Sequence, residues 1–108
     1  MIKQLIDNIR EDFNQPEAQW HLHMCGACEE HSRYMVEKNT VSMSDQKYRN
    51  GWDETCAMYE ILDDSAEEKQ LRSWLEANTV FLYTHDMFAV GMAYKNNRVY
   101  ITLRGRNV

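Results

Sequence analysis

The sequence predicts an α+β domain in which helices pack on a small antiparallel sheet. Three observations carry this. At the start of the chain apolar residues recur at helical spacing, as Ile2, Leu5, Ile6, Ile9 and Phe13. At its end they alternate, with Val99, Ile101 and Leu103 facing one way and Arg98, Tyr100, Thr102 and Arg104 the other. Between them a helix-start pattern, Ser65-Ala66-Glu67-Glu68, separates runs that read as strands. The order is helix, helix, strand, helix, strand, strand, an interleaving that belongs to the α+β class.

The first helix ends at Pro16, or Pro16 opens the next, since proline suits a first helical turn and Asn14 is an acceptable cap. A second helix is expected over residues 17–38. Trp20, Met24, Ala27, Cys28, His31 and Met35 form one stripe along it, apolar apart from the imidazole. Residues 39–50 are polar and read as a loop with room for one helical turn. Residues 55–62, TCAMYEIL, alternate and suit a strand with one buried face. Asp63 and Asp64 break it. The Ser65 hydroxyl then caps a helix, with Glu68 reaching back, and Asp63, Asp64, Glu67 and Glu68 suit its positive end. Leu71, Trp74 and Leu75 turn inward from it, and it stops near Asn78. Residues 79–83 are too short a run to assign. Residues 87–94 and 98–104 are strands around Lys95-Asn96-Asn97, where asparagine tolerates the left-handed backbone of a tight hairpin.

A chain of 108 residues is one domain, residues 1–108, large enough for a core without disulfide or metal staples. A net charge of −5, with basic residues scattered apart from Arg104 and Arg106, argues against a binder of nucleic-acid backbone. No run approaches a membrane span, and the opening MIKQLIDNIRED lacks the apolar segment of a secretory signal. Three cysteines cannot all pair within one chain, so free thiols and a cytoplasmic location are expected.

Cys25-Gly26-Ala27-Cys28 is the sharpest local motif. A redox pair of this spacing needs a strand before it, and a zinc pair needs a second set of donors, for which His21, His23, His31 and Cys56 are the candidates. A helical pattern runs straight through the motif, so packing is the simpler role. His31 reads as a core histidine bonded to a neighbour, or as a cavity-facing acid or base paired with Glu54. His85-Asp86 reads as a loop before a strand, because adjacent residues in extended backbone face opposite ways. Trp52, Tyr94 and Tyr100 are candidates for an exposed aromatic partner surface. There is no Gly-x-Ser-x-Gly elbow and no phosphate-binding glycine loop.

Trp20, Cys28, His31-Ser32 and Met35, then EKNTVSM, then Asp53-Glu54-Thr55-Cys56-Ala57, Ser65–Glu68 with Trp74, Val90-Gly91 and the closing Gly105-Arg106-Asn107-Val108 follow one another in a familiar order. Together they resemble the CAP superfamily (cysteine-rich secretory proteins, antigen 5 and pathogenesis-related 1 proteins) in a short prokaryotic or phage-like form. The resemblance implies a CAP-like αβα arrangement of about three helices on a small antiparallel sheet. The family's cavity gathers two histidines and two glutamates that can hold a divalent metal. Here Met43 stands at the first histidine and Glu54 matches the first glutamate. Glu76 falls near the second glutamate, one residue out of register, and the second histidine has no counterpart. His31 belongs to the helix word. The resemblance therefore implies a remnant cavity of His31, Glu54, Met43 and Glu76, without metal or other cofactor, because zinc's preferred nitrogen donors are missing. The function expected is a non-catalytic cytoplasmic binding or accessory module. It would act through a protein partner or small ligand, with no role for nucleic acid or membrane. The alternative is a metal-binding protein or hydrolase using Cys25, Cys28, His31 and Glu54, with Cys25, Cys28 and His31 as the metal ligands. In either case Trp20, Met24, His31, Met35 and Trp74 are expected in the core.

Overall fold

Nine elements follow one another in the computed structural model, which describes residues 1–108 apart from the side chain of Asp64. They are α1 (Ile2–Asp12), β1 (Gln19–Trp20), α2 (Leu22–Lys38), α3 (Gln46–Arg49), β2 (Asp53–Glu60), α4 (Asp64–Ala77), α5 (Thr79–Thr84), β3 (Met87–Lys95) and β4 (Arg98–Arg106). The four strands form one sheet in the order β1-β3-β4-β2. β3–β4 and β2–β4 are antiparallel, whereas β1 runs parallel to β3. The sheet is therefore mixed, not purely antiparallel, and five helices attend it where about three were expected. Among the described residues no helix is long and apolar enough to cross a membrane.

The alternation of β4 divides the molecule into layers. Val99, Ile101 and Leu103 join Phe88 of β3 and Tyr59 of β2 in a core with Ile2, Leu5 and Ile6 of α1, Leu71 and Leu75 of α4 and Leu82 of α5. On the other face, α2 lies across β3 and β4, where Cys28 packs with Ala89 and Trp52. Helices thus cover both faces, an αβα arrangement. Burying both faces explains why seven consecutive residues of β4, Val99 to Gly105, are all buried.

α2 sits unusually close to the sheet, and two small residues allow it. A Cβ on Gly91 would collide with the backbone of Cys28 and Glu29. Ser32, fully buried one turn further on, donates from Oγ to Gly91 O (3.0 Å) and meets Thr102 Oγ1 at 2.9 Å. The hydroxyl ties the helix to two strands at once.

Several boundaries differ from the sequence reading for identifiable reasons. Trp20 is not on the α2 stripe. It lies in β1, partly buried against the α1/α4/α5 core, because Gln19 N–H donates to Asp86 O and His21 N–H to Phe88 O. α2 begins only at Leu22, with His21 extended and its Nδ1 accepting from Met24 N–H at 3.1 Å. The cap of α4 is Asp63, not Ser65: Asp63 Oδ1 accepts from Ala66 N–H (2.8 Å) and Ser65 Oγ donates to it (2.7 Å). Those bonds hold the Asp63 carboxyl below its ordinary range. The Asp64 side chain, part of the acidic helix start read from the sequence, lies outside the described residues. Residues 79–83 belong to α5, and the turn allowed for in residues 39–50 is α3. Met35 is fully buried, while Trp74, Met24 and His31 are half-buried. Asn14 takes φ 58° and leads the chain out of α1; Asn39, Asn50 and Asn96 take the same left-handed backbone after α2, after α3 and in the β3–β4 turn.

Candidate functional site

Beside the N-terminal end of β2 and the C-terminal half of β4, the sheet face that carries α2 opens into a cleft of about 810 Å³. α2 contributes Ala27, Glu30, His31 and Tyr34, the loop after it Ser42, Met43, Ser44 and Asp45, α3 Tyr48, and β4 Arg104. Tyr34, Met43 and Tyr48 are 48, 48 and 65 % exposed, so the mouth is apolar and open. His31 stacks on Tyr34 with ring centroids 5.9 Å apart.

Beneath the mouth lies a buried polar cluster. Glu54 and Arg104 are direct cross-strand partners in the β2–β4 register, so the antiparallel pairing alone sets them side by side on one face. Arg104 Nε donates to Glu54 Oε2 (2.8 Å) and Nη2 to Ser44 Oγ (3.0 Å), while Nη1 lies 3.1 Å from Met24 Sδ. Ser44 N–H donates to Glu54 Oε1 (2.6 Å) and Ser44 Oγ to Oε2 (2.7 Å). Two residues beyond Glu54, and so on the same face, Cys56 Sγ donates to Oε1 at 3.6 Å. His31 Nε2 lies 3.9 Å from Oε1 but gives its N–H to Ser42 O at 2.6 Å. Burial by itself would raise the Glu54 pKa; the two Ser44 donors and the Arg104 guanidinium outweigh it and hold the carboxyl below its ordinary value. Burial, reinforced by the adjacent carboxylate, pushes the Cys56 thiol up to about 12. Burial does the same to Cys28, also to about 12.

Of the sequence candidates, His31, Glu54 and Met43 stand together at this cleft. Glu76 does not: it is exposed on α4, a helix of the opposite layer. Cys25 and Cys28 are free cysteines on α2, half-buried and buried, and Cys28 packs in the core. The set that geometry does gather, among the described residues, is His31, Glu54 and Cys56, whose donor atoms lie within 4.8 Å of one another. Neither set presents free donors to the metal that the resemblance implies. Met43 offers only a thioether, Glu76 is across the sheet, both Glu54 oxygens already accept hydrogen bonds, and the His31 Nε2 lone pair is replaced by an N–H directed at Ser42 O.

Sequence reasoning missed Arg104 and Ser44. The signal for Arg104 was present, since a charged residue inside an otherwise buried strand requires a partner. Nothing in the loop sequence marks Ser44. Trp52 and Tyr100 are 4 and 3 % exposed, so of the three aromatics expected to form a partner surface only Tyr94 is open. His85 does meet a carboxylate, but across the sheet edge and not its neighbour Asp86: Nε2 lies 2.6 Å from Asp53 Oδ2 and Nδ1 2.7 Å from Phe81 O.

No protein-family model matches the chain, and no curated protein matches it by sequence. Among solved structures the chain is similar to an extracellular protein containing an SCP domain from Bacillus anthracis str. Ames. The match has a TM-score of 0.69 at 21 % identity and covers 98 % of this chain and 39 % of that one. The chain thus spans well under half the length of that protein. At this identity the likeness establishes architecture: residues 1–108 have the fold of an SCP domain, the CAP-like αβα fold.

Proposed function

We propose that the chain is a non-catalytic binding module whose contact surface is the cleft around His31, Met43 and Tyr48, engaging a protein or a small ligand. One observation carries the reading. Glu54, the buried acid of the cleft, is held as an ion pair by Arg104 and Ser44, so it is neither a free base nor a free ligand. Its neighbour His31 is bonded to a backbone carbonyl; of the nucleophile types beside Glu54, the Cys56 thiol is pushed up to about 12 by burial, and the buried Ser44 hydroxyl is shared between Glu54 and the Arg104 guanidinium. What the cleft does present is exposed Tyr34, Met43 and Tyr48 with the carboxylates of Glu30 and Asp45 nearby, a surface suited to contact.

The direct test is turnover on a broad panel of ester, peptide and phosphodiester substrates, with and without zinc or magnesium. Background rates are expected throughout. Activity that disappears in both His31→Ala and Glu54→Gln, with the fold intact, would establish the hydrolase alternative instead. The contact surface is tested with a photo-crosslinking residue at position 43 and, as control, at Val80 on the far layer. Adducts confined to position 43 are expected, and equal labelling at both positions would refute the cleft as the contact. We also propose a cytoplasmic location, supported by three unpaired cysteines, although the similar SCP-domain protein is extracellular. Native chain recovered from host cells with its cysteines in disulfides would reject that location.

A further inference from the structure

We infer that Arg104 is the resident cation of the cleft, holding Glu54 where a divalent metal would otherwise engage it and keeping metal out of a latent His31–Glu54–Cys56 site. The inference goes beyond the binding-module reading and rests, like it, on the Glu54–Arg104 pair, but its test is separate: it reads metal uptake, where that reading is tested by turnover and contact.

The geometry sets a fixed cation beside three donor groups. Three residues of metal-binding type converge, with donor atoms within 4.8 Å of one another, from α2 and from alternate positions of β2. Three donors with an open fourth position is a common zinc arrangement. The Arg104 side chain, only 3 % exposed, places Nε 2.8 Å from Glu54 Oε2 and Nη2 3.0 Å from Ser44 Oγ. A guanidinium is permanently charged and planar, so it neutralises the carboxylate at every working pH and fixes its orientation. A second, divalent positive charge at the same oxygens would face that guanidinium in a site from which water is largely excluded. The remaining donors are directed to internal partners as well: Cys56 S–H points at Glu54 Oε1 and His31 Nε2–H at Ser42 O. Arg104 is thus a positioning residue that makes the cleft floor independent of metal supply.

Removing the charge should uncover the site. In Arg104→Met, zinc would displace the Cys56 thiol proton to solvent and take the His31 Nε2 lone pair as that ring's proton moves to Nδ1. The test is zinc titration of the full chain by calorimetry and native mass spectrometry, with melting temperature recorded in zinc and in chelator. The wild type should take up no stoichiometric zinc and melt identically in both. Arg104→Met should bind one zinc, on the order of 100-fold tighter than wild type or more, and melt higher in zinc than in chelator. Zinc-dependent folding of a variant that is unfolded in chelator is the same result. Arg104→Lys, which keeps the charge without the fork, should stay metal-free, and Arg104→Met/Cys56→Ser should lose the zinc. Stoichiometric zinc in the wild type, zinc uptake by Arg104→Lys equal to that of Arg104→Met, or an Arg104→Met protein that remains metal-free or unfolded in zinc would each overturn the inference.

Discussion

Glu54 is 7 % exposed and Arg104 2 %, and neither charge is tolerable there without the other. Glu54→Gln leaves the guanidinium without its counter-ion and should cost about 3–5 kcal/mol in urea unfolding, the usual effect of removing one partner from a buried pair. The pair also fixes an acid limb of stability. Because the folded Glu54 pKa lies below its ordinary value of 4.5, the cluster contributes stability above that value and loses it as pH falls through the folded pKa. Glu54→Gln should flatten that limb, and an unchanged acid limb in the variant would show that other carboxylates set it. The cysteines behave differently. Cys28 is wholly buried beside Trp52 and Ala89, so Cys28→Ala should cost about 1–2 kcal/mol and Cys25→Ala less, with no effect of chelator on either. A chelator-sensitive melting temperature in wild type would contradict this. Glu54 was singled out in the sequence by the word it sits in, and the structure buries it beside the cleft. Its partners were not, since Arg104 lies 50 residues away and only the strand register brings it opposite.

At the scale of elements, Gly91 states how α2 and β3 meet. Gly91→Ala places a methyl group into the backbone of residues 28 and 29, which cannot yield as a side-chain tip would. The expected loss is more than about 3 kcal/mol, at the upper end of overpacking effects. Crystallography or solution spectra of any folded variant should show α2 displaced from the sheet. Long, periodic elements such as α1, α2 and β4 were readable from residue spacing. The short ones were not, for a physical reason. β1 has two residues and owes its existence to bonds with Asp86 O and Phe88 O, partners remote in sequence. That remote pairing pulled Trp20 out of the helix its spacing suggested and into the opposite core. α5 has six residues and is held at its end by Arg10, whose Nη1 donates to Leu82 O (2.8 Å) and to His85 O. A buried arginine on an otherwise apolar helix face left no pattern in its own neighbourhood.

For the whole molecule, the layers depend on one another through the sheet. The residues of α1, α4 and α5 enclose one face, α2 the other, and the same strand residues alternate between them. The α+β class was legible because alternation and helical spacing survive in β4, α1 and α2; the αβα layering was implied by the family resemblance alone. The parallel attachment of β1 was not, because only its tertiary partner defines it.

β4 is bonded on both sides, to β2 from Asp53↔Gly105 to Glu60↔Arg98 and to β3 from Met87↔Arg106 to Lys95↔Arg98. With both faces covered as well, its amide protons have no local route to solvent. Deuterium should therefore enter Val99 to Leu103 only when the entire chain opens, giving these amides the slowest exchange and one common opening free energy, equal to that of global unfolding. The amides of α3 and of the free edge of β2 should exchange by smaller openings, orders of magnitude sooner. A β4 that exchanged as fast as α3 would mean that the strand at the centre of this sheet is not the last part of the protein to come apart.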